Sequence, residues 1–185
     1  MTVQTYIGTP LGPMRAVAND ERLLLLDFVD RDKPTDPAAR FDNAMGQGMP
    51  VDAAVGAMDH PILAETARQL AEYFAGNRTD FALPLAPQGT VFEQQAWAYL
   101  QSIPFGQTRS YGQQATGVNA PKASRAVGRA NGRNGIAIVI PCHRVIGASG
   151  SLTGYGGGLD RKRWLLDHER RRTSDQATAL GFPLV

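Results

Sequence analysis

Cys142 and His143 stand side by side, and Cys142 is the only cysteine in the chain. An apolar run, Ile136-Ala137-Ile138-Val139-Ile140, leads to them, and Pro141 stops it one residue before the thiol. A thiol so placed is held rigidly in low-dielectric surroundings, with an imidazole on the next residue. In thiol chemistry the thiolate is the nucleophile, and an ordinary cysteine with a pKa of about 8.5 is mostly protonated at neutral pH. His143 is the candidate base. Adjacent residues seldom aim their side chains at each other, so a relay through one ordered water is the expected route for the proton. A histidine base also needs an orienting partner on its second ring nitrogen. A lone cysteine without such flanks reads as a small buried hydrophobe; these flanks override that reading.

The elements that must position this pair can be read from turn residues and apolar spacing. Residues 3–29 alternate turn residues (Gly8, Pro10, Gly12, Pro13) with apolar stretches and end on Leu23-Leu24-Leu25-Leu26-Asp27-Phe28-Val29, a hairpin or small antiparallel sheet. Residues 30–60, rich in Asp, Ala, Gly and Met without a period, read as a loop. Residues 61–74 place Ile62, Leu63, Leu70, Tyr73 and Phe74 on one helical face, with Gly76 to close it. Residues 84–89 read as a linker. Thr90 with Glu93 forms a capping box for a helix carrying Phe92, Ala96, Trp97 and Leu100, broken at Pro104-Phe105-Gly106. Ser110 with Gln113 opens a short helix ending near Gly117, and Pro121 suits the first turn of the next, which runs to about Asn131-Gly132. Two helices joined by Gly117-Val118-Asn119-Ala120 make a helix-turn-helix. The expected fold class is α+β: a small N-terminal domain (1–86) of antiparallel sheet and helix, a mainly helical domain (87–170) with the helix-turn-helix, and a loosely held tail (171–185).

Composition narrows the partners. A chain of 185 residues allows one large domain or two small ones. No stretch approaches the ~20 apolar residues of a membrane span. The first residues show neither a basic nor an apolar leader segment, so the cytoplasm is the expected location. A single cysteine excludes an internal disulfide and a multi-cysteine zinc site, and His60, His143 and His168 lack zinc-ligand spacing. No metal and no cofactor are expected. Residues 1–89 carry seven Lys and Arg against twelve Asp and Glu, a net of −5; residues 90–172 carry twelve against four, a net of +8. An acidic half joined to a basic half points the second half at a polyanion.

The string IPCHRVIG at 140–147, followed by SLTGYGGGLDRKRWLLDHE at 151–169, resembles the O6-alkylguanine-DNA alkyltransferases, or methylated-DNA–protein-cysteine methyltransferases. Residues 89–115 and 121–134 are similar to further segments of that family, in its order, as are TPLGPMRAVA and LAEYFAGNRTDFALPL in the first half. The resemblance covers about residues 3–170. It implies a DNA repair protein that moves the alkyl group of O6-alkylguanine onto its own cysteine, once per molecule, with guanine as leaving group and a stable thioether as product. The lesion oxygen lies inside the duplex stack, so the base must be flipped into a pocket. Double-stranded DNA carrying the lesion is the implied partner; no obligate protein partner is implied and the chain is expected to be a monomer. O4-alkylthymine and bulkier adducts stay open as substrates.

Residue by residue, the resemblance implies a line from Cys142 through water to His143 and on to Glu169. Asn134 braces the helix-turn against the active-site segment, although Gly135 follows it where many members have proline. Arg125 fills the vacated stack, on a helix that enters the minor groove and whose Ser124, Ala126 and Gly128 allow close approach to DNA. Tyr111 crowds the phosphate of the flipped nucleotide, and its hydroxyl reaches the base. The glycine-rich stretch 154–158 lacks the Lys-Ser/Thr of a phosphate loop and is implied to wall the alkyl pocket. Tyr155 stacks near the base, Gly156 offers a backbone donor where some relatives have serine, and the carbonyls of Cys142 and Val145 accept from the exocyclic amine.

Two other classes remain in view. A Cys–His–acid grouping also serves cysteine hydrolases, which need an oxyanion hole and turn over. A helix-turn-helix regulator with a redox-sensing thiol would dimerise and prefer one operator sequence, and it leaves Glu169 and the glycine-rich wall unexplained. Alkyltransferase-like proteins, which bind lesions without repairing them, lack a cysteine at this position.

Overall fold

The computed structural model describes residues 2–29, 52–53 and 59–179, with only the backbone of 52–53 and 175–179. The expected loop at 30–60 therefore falls largely outside the described residues, as do positions 180–185 of the expected tail. By contact the chain divides into two compact units, Met1–Thr90 with Arg133–Val139, and Val91–Gly132 with Ile140–Val185. Among the described residues no helix is long and apolar enough to cross a membrane.

The first unit is built on strands β1 (Thr2–Ile7), β2 (Met14–Asn19) and β3 (Leu23–Phe28), an antiparallel meander as the alternating turns predict. A two-residue strand β4 (Asp52–Ala53) joins β1 in parallel, giving the order β3-β2-β1-β4. Asn19 Oδ1 accepts the backbone N–H groups of Glu21 and Arg22 and closes the β2–β3 turn. The four leucines of β3 are buried whichever face they point to, so their continuous apolar run reflects a strand covered on both sides. Helix α1 (Pro61–Ala75) buries Leu63, Thr66, Gln69, Leu70 and Tyr73, and Gly76, at φ +79°, takes the left-handed conformation that ends it.

The free edge of β3 is occupied twice. Leu23 pairs with Leu85, with Leu23 N–H donating to Pro84 O at 2.8 Å and Ala86 N–H to Leu23 O at 2.9 Å. Leu26 pairs with Ile136, with Leu26 N–H donating to Gly135 O at 2.8 Å and Ala137 N–H to Leu26 O at 2.7 Å. This second pairing is why Arg133–Val139 groups with the first unit by contact, although it follows the expected cut at 86/87 in sequence. Strand-edge hydrogen bonds, not sequence order, decide the membership of a segment whose apolar run could as well have stayed in the second half.

The second unit contains α2 (Val91–Gln101), α3 (Tyr111–Gly117), α4 (Ser124–Asn131), α5 (Leu159–Ala179) and a two-stranded parallel pair, β5 (Arg109–Ser110) with β6 (Val145–Ile146). The capping box of α3 is present in both directions: Gln113 N–H donates to Ser110 Oγ at 3.1 Å and Ser110 N–H to Gln113 Oε1 at 2.7 Å. The α3–α4 pair is locked by a reciprocal amide bridge between Gln114 and Asn131, at 2.9 and 2.8 Å. Trp97 Nε1–H donates to Ala130 O at 2.8 Å and ties α2 to the same pair. Two expectations change. Helix α4 starts at Ser124 and not at Pro121, because Ala123 N–H bonds back to Ala120 O at 2.8 Å and makes Pro121 the second residue of a turn. The sequence beyond residue 170 is not a tail from 171 onward, since α5 continues to Ala179. Thr173 and Ser174 turn their hydroxyls onto the carbonyls of Glu169 and Arg170, four residues back, so neither offers the alternative backbone geometry that would end the helix there.

Candidate active site

The approach to Cys142 is a sequence of tight, non-repeating backbone turns. After its pairing with Leu26, the chain takes Ile138 through φ +71°, a conformation a β-branched residue rarely adopts. Such a backbone costs on the order of 1–3 kcal/mol and persists where surrounding structure enforces it. Pro141, at φ −83° and ψ 63°, then forms an inverse γ-turn in which Cys142 N–H donates to Ile140 O at 2.8 Å. Residues Cys142–Arg144 make one turn of 3₁₀-helix, after which Val145 returns to extended backbone and enters β6. The thiol is thus carried on a short turn whose entrance is fixed by a proline and whose exit is fixed by a strand.

Cys142 is 8% exposed, and His143 and Glu169 are 0% exposed. His143 Nε2–H donates to Glu169 Oε1 at 2.9 Å. A carboxylate only accepts, so Nε2 carries the proton and Nδ1 holds the lone pair. That Nδ1 is buried and has no hydrogen-bond partner among the described residues. Burial holds the His143 pKa below the ordinary imidazole value; Glu169 opposes this, and Arg144 and Lys162 reinforce it. For Glu169 burial acts to raise the pKa, but His143 and Arg144 outweigh it and hold the carboxyl well below the usual carboxylate range. The site therefore contains a neutral base and a permanent anion behind it.

Arg144 and Lys162, neither of them among the sequence candidates, are the buried cations of the site among the described residues. Arg144 Nε donates to Glu169 Oε2 at 2.9 Å and Nη2 to Oε1 at 3.0 Å, while Nη1 donates to Ile103 O at 2.6 Å. Lys162 Nζ donates to the carbonyls of Val145 (2.7 Å), Thr153 (2.9 Å) and Gly154 (3.2 Å), and lies 5.9 Å from the centre of the Tyr111 ring. Burial pushes its pKa down, with Cys142 acting in the opposite sense. Both had a signal. Arg144 is the only Lys, Arg, Asp or Glu from Asn134 to Gly158, and a guanidinium inside an apolar stretch requires an acid. Lys162 shares the i, i+3, i+7 stripe of α5 with Leu165 and Glu169, all three fully buried. Gly106 reads from the sequence as a helix breaker, and its N–H also donates to Glu169 Oε2 at 3.0 Å. It sits at φ +75°, where a Cβ would come 2.2 Å from Thr173 Oγ1, so any side chain there would be strained and would displace Thr173.

The remaining sequence candidates fall into two groups. Tyr111, the first residue of α3, is half-buried and donates its hydroxyl to Thr153 O at 2.9 Å. Burial raises its pKa above the ordinary phenol value, partly offset by Thr153, so it stays a donor at neutral pH. A Cβ at Gly128 would meet the Tyr111 ring at 3.6 Å, which places α4 directly beside it. Val145 is buried and its carbonyl already accepts from Lys162; one of its two lone-pair directions is used before any base arrives. Tyr155 is half-buried and Gly156 exposed, with nothing within 4 Å of where its Cβ would be. Arg125 is exposed on α4, while Ser124, Ala126 and Gly128 are partly covered. Asn134 belongs to the first unit, where its Oδ1 accepts Ile136 N–H at 3.0 Å and shapes a local turn. Gly135 has no left-handed φ, so nothing in its backbone conformation demands glycine.

Residues 2–87 match the family model for the 6-O-methylguanine DNA methyltransferase ribonuclease-like domain, and residues 91–171 match the model for the DNA binding domain of the same proteins. A methylated-DNA–protein-cysteine methyltransferase of Mycolicibacterium paratuberculosis is 57% identical over 172 residues, covering 93% of this chain and 94% of the relative. The constitutive methylated-DNA–protein-cysteine methyltransferase of Bacillus subtilis is 41% identical over 171 residues, covering 92% and 96%. Among solved structures, the O6-methylguanine methyltransferase of Mycobacterium tuberculosis superposes with a TM-score of 0.76 at 42% identity, over 93% of this chain and 94% of that one. The same organism's protein in complex with DNA gives 0.74 at 41% identity, over 92% and 94%. The chain belongs to the O6-methylguanine DNA methyltransferase family: it is a DNA-binding repair protein that moves the methyl group of O6-methylguanine irreversibly onto a cysteine of its own.

Proposed function

We propose that Cys142 is the acceptor and that its proton leaves through one water to His143 Nδ1, with Glu169 holding the ring from the other side. The observation that carries this reading is the buried Nδ1, with no partner among the described residues, on an imidazole whose Nε2 is committed to Glu169. A base oriented in this way has its free lone pair on the ring nitrogen that a relay requires. The thiolate attacks the alkyl carbon in line; the S–C bond forms as the C–O bond breaks, and the electron pair goes to the guanine. Tyr111, kept as a phenol, supplies the proton or hydrogen bond that helps guanine leave. The thioether is not hydrolysed by water, so one protein repairs one lesion.

Duplex DNA carrying O6-alkylguanine is the partner in this reading, with the lesion flipped into the site. Exposed Arg125 occupies the gap in the stack; Ser124, Ala126 and Gly128 let α4 lie close to the groove. Tyr155, Gly156 and the Val145 and Cys142 carbonyls read the base, and Asn134 stiffens the segment that leads into the site. The protein acts as a monomer, and a thiol that must stay reduced favours the cytoplasm as its workplace. Intact-protein mass spectrometry after incubation with a duplex carrying one O6-methylguanine tests the assignment. The expected result is a single added methyl on Cys142, stopping at one equivalent, with no transfer by Cys142→Ser although it still binds the lesion. Sustained turnover without modification of the protein would refute it.

A further inference from the structure

We propose that Arg144 is a positioning residue for the transfer: together with the Gly106 N–H it fixes Glu169 so that the carboxylate takes one hydrogen bond from His143 and leaves the imidazole neutral, with Nδ1 open to the thiol proton. The inference rests on the Cys142–His143–Glu169 relay proposed above and adds to it the group that sets the strength of the base.

The hydrogen bonds around Glu169 divide unevenly. Oε2 is taken by Arg144 Nε at 2.9 Å and Gly106 N at 3.0 Å. Oε1 is shared by His143 Nε2 at 2.9 Å, Arg144 Nη2 at 3.0 Å and, longer, Arg144 Nε at 3.3 Å. Arg144 therefore straddles both oxygens in a fork, and its remaining nitrogen Nη1 is anchored on Ile103 O at 2.6 Å. The guanidinium plane is held at both ends, so the carboxylate cannot rotate away from the imidazole. The Phe105 ring lies 5.8 Å from the guanidinium carbon and closes one side.

Charge makes this more than packing. A buried imidazole alone with a buried carboxylate gains by taking a proton and becoming an imidazolium, and an imidazolium cannot accept the thiol proton. Arg144 already neutralises Glu169, and its positive charge opposes a second cation beside it. The charged groups acting on His143 are Glu169 and Lys162 from α5 and Arg144 from its own turn, with Cys142 its chain neighbour there; α2, which also packs against the turn, carries Glu93 as its only charged residue. Of the two cations in this set, only Arg144 bonds the acid that orients the base. Lysine would offer a point charge to one oxygen; the fork holds both.

The test is the single-turnover rate of alkyl transfer from O6-benzylguanine between about pH 5 and 8, the range in which an imidazole changes charge. In the wild type the rate rises with pH as His143 loses its proton. Arg144→Leu should move that rise to higher pH by about one unit, the lower end of the effect of a charge at this range, and by more than any fall in the plateau rate can mimic. Arg144→Gln, which keeps an amide donor but no charge, should give the same shift and serves if the leucine variant does not fold. Arg144→Lys should return the rise to near its wild-type position with a lower plateau. A rise that stays in place, or moves to lower pH, in the folded neutral variants overturns the proposal, as does an equal shift in the lysine variant. The underlying relay is tested separately by His143→Gln: if that variant transfers at the wild-type rate with a flat profile, the relay itself falls. If it does not, a static profile in the Arg144 variants sinks the Arg144 role alone.

Discussion

The second unit holds its cations in two contrasting ways. Around Cys142, Arg144 and Lys162 are buried, each with named acceptors and a fixed geometry. On and before α4, Lys122, Arg125 and Arg129 are exposed. In low dielectric a charge acts strongly over a few ångströms and salt does not reach it; at the surface the same charge is weakened by water and screened within about 10 Å at 0.1 M ionic strength. The buried set can therefore tune a single proton transfer, whereas the exposed set can only sum over many phosphates. Reactivity and DNA affinity should then respond to different perturbations, and each prediction below can break that separation.

The largest effect belongs to the buried set. Glu169→Gln removes the charge that orients and stabilises His143 and leaves Arg144 unpaired inside the protein. Transfer should slow by roughly 10²–10⁴-fold, the range of general-base contributions, and by a similar factor for duplex O6-methylguanine and for free O6-benzylguanine. An unchanged rate with the fold intact removes Glu169 from the relay; a loss confined to duplex would mean that the acid serves DNA binding instead.

Salt should divide the two sets next. Duplex affinity should fall by at least about tenfold between low and moderate salt, because counterions released on binding make log K linear in log salt. The rate with O6-benzylguanine should hold steady over the same range, since the relay charges are buried. A flat binding constant would refute the phosphate-tracking role of the basic half, and a strong preference for one operator sequence would revive the regulator reading.

Arg125→Ala is the smaller and more selective cut. Extrusion of a base costs a few kcal/mol, and an arginine that fills the gap offsets part of it. Repair of duplex lesion should slow by about tenfold, which corresponds to roughly 1.4 kcal/mol, while reaction with the free base is unaffected. Equal losses on both substrates would assign Arg125 to the fold or pocket; no loss on duplex would end its proposed role.

The pattern of what was legible follows from range in sequence. The β1–β3 meander, α1 with its Gly76 stop, and the Ser110–Gln113 box are written in residues a few positions apart, and they stand as read. The His143–Glu169 pair spans 26 residues and was reached by resemblance, not by spacing. What escaped depends on partners distant in sequence: Gly106 and Glu169 are 63 residues apart, Arg144 and Ile103 are 41 apart. The pairing of Ile136 with Leu26, which draws a piece of the basic half into the first unit, escaped for the same reason. The misplaced start of α4 had a local cause, since Pro121 suits a turn as well as a first helical residue.

The smallest predicted effect tests whether the exposed surface depends on local structure. Helix α3 has seven residues, too few to stand alone in water. It relies on its cap and on the Gln114–Asn131 bridge to present Tyr111 at its first position. Ser110→Ala removes the hydroxyl that accepts Gln113 N–H and should lower unfolding stability by about 1 kcal/mol, measured by urea denaturation. Tyr111 is still tied to Thr153 O in the folded protein, so transfer rates well below the melting temperature should stay within about twofold for both substrates, a difference of less than 1 kcal/mol. A loss of rate much larger than the loss of stability accounts for would show that the cap, and not the Thr153 contact, sets the position of Tyr111. A loss seen only with duplex would instead tie the cap to the DNA-facing side of α3 and blur the separation between the buried and exposed sets at their nearest point.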